Sequence, residues 1–249
     1  MKKYVFLLVA LLLVGSVFAA EGNVKYDRDV LSFGETASVE LSANVDKPSE
    51  WEYRAVIRGP CGNIVAWAEE GMKNTSYWAR HENGRKIVLE YKMPSSFENC
   101  KIAKWHTVEY QPYRAVLHVR NKYTREGYSV WKKLVLVDKS KALEFLNTRT
   151  LKLENLSEHS DLRAAKFQEI TSSVENPELK AQWQELAQRT DALNSGRNSL
   201  IAQAIEAASD AISDFSIRAV KTFDEKLREL HKELKYIRDM TNKLKEVKA

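Results

Sequence analysis

Residues 37–45 read Ala37-Ser38-Val39-Glu40-Leu41-Ser42-Ala43-Asn44-Val45, apolar and polar in strict turn. A period of two sends alternate side chains to opposite faces, so this stretch predicts a strand with one buried and one solvated face. The pattern repeats downstream. Trp51, Tyr53, Ala55 and Ile57 alternate with Glu52, Arg54, Val56 and Arg58. Ile87, Leu89, Tyr91 and Met93 alternate with Lys86, Val88, Glu90 and Lys92. Tyr113, Ala115, Leu117 and Val119 alternate with Arg114, Val116, His118 and Arg120. Residues 128–137 form a last strand, and shorter ones are expected over 24–32, 63–69 and 101–109. Asn83-Gly84, between 77–82 and 85–93, is a two-residue hairpin signal. Gly34, Pro48, Gly59-Pro60, Pro94 and Pro112 punctuate the rest.

About seven short strands within residues 20–138 predict an antiparallel β-sandwich domain. The pattern resembles immunoglobulin-like and fibronectin-type modules in general architecture, over the first half of the chain only. The spacing of true immunoglobulin domains is not matched. Trp67 and Trp78 lie between Cys61 and Cys100, and a bridge there would join a turn to a late loop.

The composition changes near Asp138. Seven of the nine glycines, four of the five prolines and five of the six tryptophans lie in residues 21–138, whereas 139–249 are rich in Leu, Ala, Glu, Lys and Gln. The second set favours helix. Asn176-Pro177-Glu178 is a helix start, with an Asn cap, Pro at the first position and an acid at the positive dipole end. Asn194-Ser195-Gly196 is a stop. Residues 140–174 predict two helical stretches interrupted near Asn155–Ser160. Beyond 200, Ile201, Ile205, Ala208, Ile212, Phe215, Ala219, Phe223, Leu227, Leu230, Leu234, Ile237, Thr241 and Leu244 recur at steps of three and four. That is one apolar stripe on one long helix, about 75 Å for some 50 residues. Residues 139–249 are therefore expected to form an α-helical hairpin or coiled-coil domain. Its interface residues are Ile212, Phe215, Phe223, Leu227, Leu230, Leu234, Ile237 and Leu244. The stripe from Leu227 to Leu244 is expected to exceed what a hairpin covers, leaving another copy of the chain or an envelope protein to bury the rest.

The N-terminus predicts export. Lys2-Lys3 precede an apolar run from Tyr4 to Val14, and Val17 and Ala19 stand at −3 and −1 of a cleavage site before Ala20. Residues 1–19 are thus expected to be a signal peptide. The run is short against the ~20 residues of a membrane span, so cleavage is favoured over an uncleaved anchor. No stable transmembrane segment is expected after cleavage, and the mature protein is placed outside the cytoplasm, secreted, surface-bound or periplasmic. Losing Lys2 and Lys3 lowers the net charge from +5 to +3. With acids interrupting most basic runs, nucleic acid is not an expected partner. In an oxidising compartment Cys61 and Cys100 are expected to pair.

No catalytic motif is found: no G-x-S-x-G, no H-E-x-x-H, no phosphate-binding loop and no dinucleotide fingerprint. The five histidines, His81, His106, His118, His159 and His231, lack metal-ligand spacing. Neither a metal, a cofactor nor enzymatic activity is expected. Glu69-Glu70 and Asp27/Asp29 are the acid pairs to weigh for a glycosidase: adjacent Glu69 and Glu70 point to opposite faces of a strand, and Asp27 and Asp29, which could share a face, read as solvated loop acids. Most aromatics are expected to fill the core. Trp78 and Trp105, in polar surroundings, are the candidate ligand-binding residues, with a glycan the ligand that flat indole rings suit. Asn74-Thr75-Ser76 and Asn155-Leu156-Ser157 are N-glycosylation triplets. The expected function is structural or protein–protein interaction in the cell envelope, with a carbohydrate-binding module on a helical stalk as the alternative.

Overall fold

The computed structural model describes residues 21–100 and 102–248. The expected signal peptide lies outside the described residues. The chain divides into two compact units, one of residues 21–105 and 109–137 and one of 106–108 and 138–248.

The first unit is β-rich. Its strands are β1 (Glu21–Tyr26), β2 (Val30–Leu31), β3 (Thr36–Asn44), β4 (Trp51–Arg58), β5 (Ile64–Trp67), β6 (Ala79–Arg80), β7 (Ile87–Lys92), β8 (Ala103–Trp105), β9 (Val108–Asn121) and β10 (Gly127–Val137). One sheet runs β1-β3-β7; the other runs β2-β10-β9-β4-β5, with β6 also on β4 and β8 on β9. The alternation in β3 does what it predicts: Ala37, Val39, Leu41 and Ala43 are buried, and the residues between them are not. These inward side chains share one core with Leu89 of β7 and with Tyr53, Ala55, Ile57, Tyr113, Ala115, Leu117, Leu134 and Leu136 of the larger sheet.

Two features depart from the expected pattern. The pairing is not wholly antiparallel, because β2 lies parallel to β10. Asn83-Gly84 does not close a hairpin: β6 pairs with β4 and β7 with β3, so the chain changes sheets there. Gly84 does adopt the positive φ of a turn. Asn83, however, turns its side chain on the residue that follows β3, accepting from Val45 N–H at 2.9 Å and donating to Val45 C=O at 2.8 Å. A long-range amide pair replaces the ladder bonds of a hairpin.

Cys61 and Cys100 form a disulfide, joining the turn after β4 to the loop before β8. Buried Gln111 holds that loop. Its Nε2 donates to the carbonyls of Glu98 and Cys100, both at 2.6 Å, and its Oε1 accepts from Glu98 N–H at 2.9 Å.

The second unit holds four helices: α1 (Lys139–Ser173), α2 (Pro177–Ala192), α3 (Leu200–Ser213) and α4 (Ile217–Lys248). Their principal contacts make a closed ring, α1 on α2 and α3, α4 on α2 and α3. The caps are the expected residue types. Asn176 Oδ1 accepts from Glu178 and Leu179 N–H with Pro177 at the first position, and Ser199 Oγ accepts from Ala202 N–H.

Helix boundaries differ from the sequence reading twice. Residues 140–173 are continuous, because Ser157 donates to Asn194 at 2.5 Å and Ser160 is buried inside the unit. A tertiary partner thus absorbs the Ser157 hydroxyl, which would otherwise compete for the backbone. The long helix is two helices. Ser216 Oγ accepts from Ala219 N–H at 3.2 Å, capping α4 and interrupting the stripe at Asp214–Ser216. Among the described residues, no helix is long and apolar enough to cross a membrane.

Candidate functional site

The outward face of the larger sheet carries the most organised set of side chains outside the core. Strand register aligns them in rows. Glu52 faces Arg120 on one side and Arg80 on the other. The next row is Arg54, His118 and Ser129. Then come Trp67, Val56, Val116 and Trp131 in one line across β5, β4, β9 and β10. Beyond them lie Arg58, Arg114 and Lys133. An apolar band, ended by a tryptophan on each side, therefore runs between a row that holds one arginine, Arg54, and a row of three cations, Arg58, Arg114 and Lys133.

Trp131 is the open end of the band, 56% exposed. The Arg114 guanidinium lies 4.9 Å from its ring centroid, a cation–π contact. Val56 and Val116 are buried. Arg54 reaches to the sheet edge, donating to the carbonyls of Met72 at 2.7 Å and Thr75 at 3.3 Å. Glu52, the acid of these rows, is held by Arg120 at 3.5 Å and Arg125 at 3.4 Å. The face is thus rich in donors and poor in acceptors. Arg54 Nε, Arg120 Nε and Trp67 Nε1 are donors with no hydrogen-bond partner among the described residues.

Trp78 belongs to the same face. It precedes β6 and is half-buried, with the Arg120 guanidinium 3.7 Å from its ring centroid. Trp105 does not join it. It is half-buried at the end of β8, beside the first residues of β9 rather than the rows at 114–120. Trp131 carries a signal the sequence reading left unused. Counting by twos from inward-facing Leu134 and Leu136 places it outward.

Of the candidate acids, Glu69 and Glu70 are already engaged. Glu69 accepts from Tyr53 Oη at 2.6 Å, Tyr77 Oη at 2.9 Å and Arg85 at 3.3 Å, while Glu70 pairs with Lys73 at 3.1 Å. Asp27 lines a shallow cleft with Arg28, Leu31, Glu35, Thr36 and Ser38.

Of the helical interface residues, Phe223, Leu227, Leu230, Ile237 and Leu244 are buried and Ile212, Phe215 and Leu234 half-buried within one chain. The stripe is covered by α2 and α3 rather than left open beyond Leu227. Across α2 and α4, Arg189 bonds Glu233 at 2.8 Å and Tyr236 Oη donates to Glu185 at 3.0 Å, while within α2 Arg189 also bonds Glu185 at 2.9 Å. The large apolar side chains left exposed on α1 are Leu151 and Leu162.

No protein-family model and no curated protein matches the chain. Among solved structures, it is similar to the human B7-H4 IgV-like domain, at 12% identity and a TM-score of 0.21, over 46% of this chain and 95% of that chain.

Two histidines of the β unit have pKa values below the ordinary histidine range. His81, buried against Tyr53, is lowered chiefly by burial, and nearby Arg85 adds to the effect. Opposing contributions come from Asn83, the Ala43 backbone and Glu82. His118 is lowered by burial and then by Arg58 and Arg54. A lowered folded pKa means that the unfolded chain takes up the proton first. Stability from these groups is complete above about pH 6.5, the unfolded value, and is lost as pH falls below it. The melting temperature of the β unit should fall as pH drops below about 6.5, and a His81→Gln/His118→Gln variant should show a shallower slope there. An unchanged slope in the variant would contradict this assignment.

Proposed function

We propose that the protein is an exported, non-enzymatic recognition protein of the cell envelope. Its β-rich half is read as an immunoglobulin-like sandwich that binds an acidic protein surface through the outward face of β4, β9 and β10. Its helical half is read as a compact scaffold or spacer. The observation that carries the reading is the Trp67–Val56–Val116–Trp131 line, with Arg54 on one side and the Arg58–Arg114–Lys133 row on the other. Aromatic and arginine side chains are enriched at protein interfaces, and complementary charge sets specificity and association rate. The disulfide supports residence in an oxidising compartment.

A second reading, glycan binding, draws on the exposed Trp131 ring, which offers a flat apolar platform. Co-sedimentation of the purified mature chain with isolated host envelope separates the two. The protein-binding reading expects the chain to pellet with native envelope, to be released as salt rises, and to lose its sites when the envelope is stripped with protease. Binding that survives stripping and is abolished by Trp131→Ala would favour the glycan instead.

A further inference from the structure

The segment between β5 and β6 holds a feature that recognition does not use. Asn74-Thr75-Ser76 has the residue types of an N-glycan acceptor, with no proline at the middle position. All three residues are exposed. Asn74 Oδ1 accepts from Ser76 N–H at 3.0 Å and from Ser76 Oγ at 2.8 Å. The hydroxyl that the triplet requires is therefore already directed at the acceptor amide. Asn74 Nδ2, the atom to be glycosylated, has no hydrogen-bond partner among the described residues. Arg54 holds the backbone here through the carbonyls of Met72 and Thr75, so the turn is presented from the sheet edge in a fixed form.

The second triplet is built differently. Asn155 is exposed but lies inside the 35-residue helix α1. Its Ser157 is half-buried, and the Ser157 hydroxyl donates to Asn194 Oδ1 at 2.5 Å. A helical backbone separates the two side chains of the triplet, and the hydroxyl is committed elsewhere.

We infer that Asn74, and not Asn155, is an N-glycosylation site of the exported protein. The donor is an oligosaccharide carried on a polyprenyl phosphate or diphosphate. The bond from Nδ2 to the sugar's anomeric carbon forms as the anomeric C–O bond to the lipid phosphate breaks. The phosphate leaves with the electron pair, and an amide proton passes to a base of the transferase. No redox change occurs. The inference rests on the proposed export.

The test uses the full chain in a host whose secretory pathway carries an oligosaccharyl transferase. The chain's own leader is used in one arm and a host leader in the other. An exposed tail with a reference triplet is added, and peptide mass mapping is confined to molecules whose reference is occupied. Glycan is expected on Asn74, with complete loss in Asn74→Gln and Ser76→Ala, retention in Ser76→Thr, and no change in Asn155→Gln. Bare Asn74 beside an occupied reference, or glycan on Asn155 alone, would overturn the inference. A failed export reading shows separately, as retention of the own-leader arm inside the cell while the host-leader arm is secreted.

Discussion

Replacing Phe223 with alanine is expected to lower the stability of the helical unit by about 3–5 kcal/mol. Phe223 is fully buried, near the start of α4, on the face turned to α2 and α3. Truncation removes the apolar transfer energy of the ring and leaves a cavity that four packed helices close only in part. Leu162→Ala is the matched control. Leu162 is 68% exposed on α1, and its truncation should change stability by no more than about 0.5 kcal/mol. Urea unfolding followed by helical circular dichroism measures both. A loss below about 1 kcal/mol for Phe223→Ala would place the ring outside the core, because full burial of a phenylalanine side chain alone is worth more than that. The stripe would then be serving a partner rather than this chain.

The second large effect belongs to the disulfide. Cys61 and Cys100 are 39 residues apart. Closing a loop of that length restricts the unfolded chain by about 4 kcal/mol in the chain-entropy model. The native loop is also secured by buried Gln111, so the bond is not alone in fixing its geometry. Cys61→Ala/Cys100→Ala should therefore still fold, but with the β unit destabilised by roughly 2–4 kcal/mol. Wild-type protein unfolded in the presence of a thiol reductant should follow the same curve as the variant. A reductant that leaves the wild-type transition unmoved, with both thiols shown to be free, would contradict the expectation.

The β half was legible where one face is buried and the other wet. In β3, β4, β7 and β9 the alternation of side chains names the inward residues directly, and the core contains them. What could not be read is which strands pair. Asn83-Gly84 has the composition of a hairpin turn, yet the Asn83 amide is taken by Val45, far away in sequence. Helix boundaries failed for a related reason. Asp214 and Ser216 are both cap-forming residues, but the apolar stripe continues through them with its phase intact, so periodicity conceals the break. The opposite error arose at Asn155–Ser160, where a polar run that looks like an interruption stays helical, with the Ser157 hydroxyl taken by Asn194. The candidate face escaped notice because its rows combine residues from four strands. Val56, Val116 and Trp131 become neighbours only through the register of β4, β9 and β10. Trp78 was singled out for its polar surroundings in sequence, and one of the basic residues around it in space, Arg120, lies over its ring.

The most direct test of the recognition face is charge reversal within it. Arg58 and Arg114 are exposed neighbours in one row and do not contribute to the core. Arg58→Glu/Arg114→Glu should fold as the wild type does, and Lys166→Glu/Lys180→Glu on the helices makes the same change in net charge away from the face. In co-sedimentation with native envelope at low salt, the Arg58→Glu/Arg114→Glu variant is expected to bind at least about tenfold more weakly, since opposed charge at an interface costs several kcal/mol. The helical variant should bind as the wild type does. Equal binding by all three proteins, or equal loss in both variants, would contradict the account.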